Sequence, residues 1–121
     1  MAKTTLSLAA IKWMLTKMKS QGDHAALCNS NSTTLTTKTV TALSNYKKLL
    51  VTLEDASKNI FTSIEVPVAL FKAKSSISLR FYQSVQSCPT GVVTYVSNTS
   101  IKLQIANYTG TDYYVYVYGV K

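Results

Sequence analysis

The stretch Asp112-Tyr113-Tyr114-Val115-Tyr116-Val117-Tyr118-Gly119-Val120-Lys121 alternates with a period of two. Successive side chains of a β-strand point to opposite faces, so Tyr114, Tyr116 and Tyr118 share one face while Tyr113, Val115 and Val117 share the other. Both faces are large and rich in apolar surface. One side of such a strand belongs to its own core, and the other side calls for a second cover.

Working back along the chain, the same period recurs. Leu49, Val51 and Leu53 alternate in residues 46–53, Ile77, Leu79 and Phe81 in 76–85, and Ile101, Leu103 and Ile105 in 101–105, with Val92 to Val96 between them. Residues 54–59 read as a turn that holds Glu54 in solvent, and Pro89 with Gly91 marks another. Residues 60–66 and 68–72 read as two short strands or one bent strand, broken at Pro67, which is tolerated only at an edge or bulge. Short strands with turn signals every eight to twelve residues predict a mainly β protein, an antiparallel β-sandwich or jelly-roll-like domain over residues 46–121.

The first part of the chain has a different period. Leu8, Ile11, Leu15 and Met18 recur at three- and four-residue spacing, with Lys12, Thr16 and Lys19 opposite, which predicts one N-terminal amphipathic α-helix over residues 5–19. Thr4 or Thr5 serves as its N-cap and Gly22 ends it. The division that follows is a docking or oligomerisation helix in 1–22, a polar connector or edge strand in 23–45, and the β-domain in 46–121. A helix packed on its own domain and a helix lying on a membrane surface are the competing readings of the first segment.

At 121 residues the chain has the length of one domain and buries enough surface to need neither disulfides nor metals. Only 15% of residues are charged, against about 25% in an average domain. Ser and Thr replace them, which leaves a neutral, hydroxyl-rich exterior with little to keep copies apart. The formal charge of +8 draws the chain toward anions. Yet twelve of the thirteen basic residues are lysines, scattered along the chain, and Arg80 is the single arginine. Base and phosphate recognition favours arginine's bidentate fork, so nucleic acid is not the expected partner. The apolar run after Lys3 is too short to span a bilayer or to serve as a signal peptide, so the chain is expected to be soluble and made without export.

Candidate chemistry is sparse. Asp23, Glu54, Asp55, Glu65 and Asp112 are the carboxylates, and they read as solvated turn and strand positions rather than a facing pair. His24 is the only histidine, and Cys28 and Cys88 are too far apart in sequence for a zinc knuckle, so no metal site is expected and both thiols are read as free. Four dispersed glycines form no phosphate loop. No cofactor and no enzymatic activity are expected.

The tyrosines remain. Tyrosine combines large buriable area with a hydroxyl that tolerates water, which suits interfaces. An ordinary aromatic ladder within one sheet, a carbohydrate platform and a stacking surface for single-stranded nucleic acid are the alternatives. The helix, the Ser/Thr-rich connector and the run Val92-Val93-Thr94-Tyr95-Val96-Ser97-Asn98-Thr99-Ser100-Ile101-Lys102-Leu103, together with the Tyr-Val-Tyr-Val-Tyr-Gly-Val-Lys stretch, resemble small bacteriophage virion proteins of the tail, baseplate, fibre or head-decoration type. The resemblance covers mainly residues 60–121. It implies a homo-oligomer, often a trimer, located in the virion and docked on other virion proteins through its N-terminal part. The expected interface residues are Leu8, Ile11, Leu15, Met18, Tyr114, Tyr116 and Tyr118. The alternative function is a receptor- or glycan-binding tip, and the next a basic nucleic-acid-binding protein.

Overall fold

A computed structural model of the chain describes residues 8, 9, 11, 12, 24–83 and 88–121. Among the described residues the protein is mainly β, with two four-stranded antiparallel sheets whose strands alternate along the chain and a seven-residue helix, Val68–Lys74, in mid-chain. The elements are β1 (His24–Ser30), β2 (Thr36–Thr39), β3 (Lys48–Asp55), β4 (Ile60–Pro67), α1 (Val68–Lys74), β5 (Ser76–Arg80), β6 (Thr90–Ser97), β7 (Ser100–Ala106) and β8 (Tyr113–Val120). The first sheet has the order β1-β8-β3-β4 and the second β2-β7-β6-β5. Pairs β1:β8 and β2:β7 join distant parts of the chain, whereas β3:β4, β5:β6 and β6:β7 are sequence neighbours.

Alternation sets the inner faces. Leu49, Val51 and Leu53 of β3, Val115 and Val117 of β8, Val93 of β6, and Ile101, Leu103 and Ile105 of β7 are all buried in one cluster fed by both sheets. Each such aliphatic side chain contributes about 1.5–3 kcal/mol on full burial. The sheets approach closely at Gly91, where an added Cβ would lie 3.0 Å from Val115 Cγ2.

Two segments differ from the reading of the sequence, residues 68–72 and the turn at Glu54, while residues 23–45 take the edge-strand alternative. Residues 68–72 are helical: Val68 and Phe71, three apart, are buried on one face of α1, and Ala69, Leu70 and the lysines favour helix. Pro67 ends β4 and sits at the helix N-cap with an extended ψ of 136°, so the proline separates a strand from a helix instead of two strands. Residues 24–30 and 36–39 form strands at the edges of the two sheets. Glu54 lies inside β3, and the turn begins after Asp55, where the Asn59 backbone N–H donates to Asp55 Oδ1 at 2.9 Å. Of the expected N-terminal helix, Leu8, Ala9, Ile11 and Lys12 are helical, with Leu8 and Ile11 exposed. Leu15 and Met18 lie outside the described residues.

The edges are blunted in ways that discourage further pairing. Strand β1 carries a bulge between Ala26 and Cys28, β2 is four residues long and includes Lys38, and β5 is five residues long. Strand β4 is the longest edge without a break in its middle, and it leaves Ile60 and Ile64 exposed.

Candidate interaction surface

Register across the first sheet defines its outer face. Tyr118 lies between Ala26 of β1 and Leu50 of β3, and Tyr116 lies between Asn29 and Thr52. Tyr114 lies opposite Glu54. The three tyrosines thus run down one of the two central strands of the sheet, flanked by short or slender side chains. All three are half-buried, while Tyr113, Val115, Val117 and Gly119 on the opposite face are buried.

The rings lean on one another. Tyr116 and Tyr118 are nearly parallel, with centroids 6.0 Å apart and planes 13° apart. Tyr114 and Tyr116 are also 6.0 Å apart, tilted by 40°. The direction of the lean follows from a hydrogen bond. Tyr118 is opposite Leu50, yet its hydroxyl donates to Glu54 Oε2 at 2.8 Å. Leu50 and Glu54 are four residues apart, about 13 Å along an extended strand. The Tyr118 ring must therefore lie along the sheet, passing over Thr52, with the Glu54 side chain reaching back to meet it.

This arrangement explains two buried polar groups on an outward face. Thr52 is 1% exposed and Glu54 is 4% exposed. The Thr52 hydroxyl donates to the same Glu54 Oε2. A buried carboxylate without partners is costly, and two hydroxyl donors supply what burial removes. Burial, and then the hydrogen bond to Glu54, push the Tyr118 phenol up to about 12. At neutral pH it is a fixed neutral donor. The tyrosine row is accordingly a lid over Thr52 and Glu54 as well as a surface.

Around this row the rim is polar. Lys48 pairs with Glu65 at 3.5 Å, with about half of each side chain exposed, so the pair contributes at most ~1 kcal/mol. His24 and Asn29 lie along the β1 side. A central aromatic strip with a polar border is the anatomy of a protein interface.

The structure brings Tyr114, Tyr116 and Tyr118 together as the alternation predicts. Leu8 and Ile11 are helical and exposed, and Leu15 and Met18 lie outside the described residues. Thr52 and Glu54 are the residues that sequence reading placed wrongly or passed over. Continuing the alternation of Leu49, Val51 and Leu53 by one residue puts Glu54 on the outward face, but only the β3–β8 register shows what covers it.

Elsewhere the chemistry is quiet. Cys28 and Cys88 are free thiols, and burial pushes Cys28 up to about 11. Among the described residues no three His, Cys, Asp or Glu side chains gather as a metal site, and no helix is long and apolar enough to cross a membrane. No family model, curated protein or solved structure matches the chain.

Proposed function

We propose that this protein is a non-enzymatic structural subunit that assembles with copies of itself through the tyrosine face of its first sheet, as a component of a phage or phage-like particle. The observation that carries the self-association is the half-buried row Tyr114, Tyr116 and Tyr118, held in fixed orientation by the Tyr118–Glu54 hydrogen bond. Rings already ordered lose little rotamer entropy on contact, so burial of their remaining apolar area is retained as affinity. Full burial of such a ring contributes about 1.5–3 kcal/mol, and a symmetric assembly repeats the gain at every interface.

The virion assignment rests on the resemblance of the β-rich, hydroxyl-rich chain to small tail, baseplate and head-decoration proteins, and a trimer docked on other virion proteins is the form that this resemblance implies. We read the two sheets as a β-sandwich related to the jelly roll, which shares the long-range pairs β1:β8, β3:β8 and β2:β7 and has the local hairpins β3:β4, β5:β6 and β6:β7 in place of the others. A glycan-binding tip is the second reading, favoured by the nearly parallel Tyr116 and Tyr118 rings, which offer a stacking platform to a sugar.

Light scattering on the full chain at high micromolar concentration tests the first reading. An oligomer whose mass falls toward that of the monomer in Tyr116→Ala supports it. A strict monomer, unchanged by the substitution, overturns it, and a glycan-array signal lost in Tyr116→Ala then selects the second.

A further inference from the structure

Lysines that are scattered in the sequence gather on one side of the fold. At one end of the two sheets, β3, β5 and β7 begin and β4, β6 and β8 finish. Lys47 stands at this end, its N–H donating to Val120 O and its carbonyl accepting from the Val68 N–H, both at 2.9 Å. Helix α1 then crosses from the first sheet to the second and carries Lys72 and Lys74 in its last turn. The Lys72 ammonium donates to Asn98 Oδ1 at 3.2 Å, and Asn98 is itself held by the Ser44 N–H and hydroxyl.

The same charge continues onto the outer face of the second sheet. Ile77, Val93 and Leu103 are in the core, so Ser76, Thr94 and Lys102 point outward. Ser76 lies opposite Thr94, Thr94 opposite Lys102, and Lys102 opposite Thr37, which makes one row across four strands. The row spans three strand spacings, about 14 Å. Carboxylates are placed elsewhere. Glu54, Asp55 and Asp112 lie toward the opposite end, and Glu65 on β4 pairs with Lys48. Among the described residues none lies on α1 or on the strands of the second sheet, and Asp23 is outside the described residues.

We infer that this lysine and hydroxyl surface binds the phosphate backbone of double-stranded nucleic acid without reading its bases. A duplex carries one negative charge per about 1.7 Å of its axis, so about eight phosphates fall within the length of the row. Lysine serves such a contact as a point charge, and the scarcity of arginine bears on base reading alone. The Ser and Thr hydroxyls between the ammonium groups supply directional hydrogen bonds to phosphate oxygens. Stacking on unpaired bases would need exposed rings here, but Tyr95 turns inward onto Phe71, with centroids 5.7 Å apart. A bilayer would need an apolar wedge. Leu43, Val68 and Phe71 are buried, Leu70 lines the groove between β4 and β5, and Val96 alone is exposed on the second sheet's outer face.

Fluorescence anisotropy of the full chain with a labelled mixed-sequence DNA duplex of about 20 base pairs, across a salt series, tests this. Contacts from Lys47, Lys72, Lys74 and Lys102 predict a slope of log K against log salt of about −3.6, roughly a 100-fold loss from about 50 to about 200 mM. The triple variant Lys47→Gln, Lys74→Gln, Lys102→Gln is expected to bring the slope to about −1, and a duplex of different sequence to bind equally well. Lys58→Gln, in the turn at the opposite end, removes one charge away from the surface and is expected to leave the slope unchanged. Absence of binding at low salt overturns the inference, and so does a slope that the triple variant leaves unchanged. A loss from Lys58→Gln equal to that from Lys74→Gln alone would assign the binding to net charge and overturn the surface. Tighter binding to a single strand of the same length, or displacement of the duplex by phosphatidylserine–phosphatidylcholine vesicles, would assign it to base stacking or to a membrane and overturn the duplex.

Discussion

The Tyr118 hydroxyl donates to Glu54 Oε2 at 2.8 Å, linking two residues 64 positions apart in sequence. This bond determines where the tyrosine ring lies, and the ring in turn keeps water from Glu54 and Thr52. Stability and surface shape are therefore coupled at one point on the outer face.

Removing the donor should show both effects. Tyr118→Phe keeps the ring but leaves Glu54 Oε2 with Thr52 alone. Hydrogen bonds to charged groups contribute about 1.5–3 kcal/mol, so the expected loss in unfolding free energy is of that size. Glu54→Gln, which keeps shape and hydrogen bonding but removes the charge, should lose less than Glu54→Ala. Urea unfolding of each variant, and of the double variant Tyr118→Phe with Glu54→Gln, measures the coupling. Additive losses would show that the two groups do not act together.

Alkaline pH should weaken the fold in a defined window. The Cys28 thiol is raised from 9.0 to about 11, chiefly by burial and against the pull of Lys38. The Tyr118 phenol is raised from 10.0 to about 12, by burial and by its bond to Glu54. Both groups are neutral in the folded state where the unfolded chain has begun to lose their protons. Their contribution is complete below the unfolded values and is lost as pH rises through the folded ones, between about 9 and 12. Cys28→Ala combined with Tyr118→Phe should flatten the fall of unfolding free energy across that range, read by denaturant titration at a series of pH values. An unchanged slope would mean that other groups govern it.

Much of this fold was legible in the sequence because alternation reports a strand's two faces directly. Leu49, Val51 and Leu53, Ile101, Leu103 and Ile105, and the residues of β8 all lie on the sides that their period predicts. Short elements were less legible. Val68 to Lys74 has only two buried side chains to mark its inner face, and a seven-residue helix beside a proline looks much like a broken strand. Strand β2 is polar because it is a four-residue edge, so Thr36 and Lys38 carry no apolar signal. Glu54 was unreadable for a different reason. Its burial comes from Tyr118, whose position beside it depends on a long-range register that no local pattern encodes.

Gly119 presents a packing constraint. It occupies an inward position on β8 opposite Ala25 and Leu49, and the Tyr46 ring lies directly on it. A Cβ there would come within 2.5 Å of Tyr46 Cδ1. Tyr46 has little room to retreat, since it follows the 3-10 turn Leu43–Asn45, whose Leu43 and Ser44 N–H groups donate to the Asn98 backbone and side chain at 2.8 and 3.0 Å. Gly119→Ala should therefore destabilise by about 1–3 kcal/mol, the usual cost of overpacking. Thermal melts of Gly119→Ala, Tyr46→Ala and the pair should be non-additive, with the double variant losing less than the sum.

Ser75 offers the opposite change. It caps α1 in the left-handed region at φ 71° and ψ −9°, and its backbone N–H donates to Phe71 O at 2.7 Å. The backbone is held there from both sides, because Ser75 O accepts from the Tyr95 N–H at 2.9 Å. A left-handed conformation costs an L-residue roughly 1–2 kcal/mol, and glycine avoids that cost while losing some of the gain to its freer unfolded state. The exposed Ser75 side chain takes no part in the cap, so nothing else is forfeited. Ser75→Gly should raise the unfolding free energy by about 0.5–1 kcal/mol. Ser75→Val, which is β-branched and tolerates positive φ poorly, should lower it. Chemical denaturation of the two variants beside the parent checks the order, and a glycine variant less stable than the parent would show that the helix end is not strained.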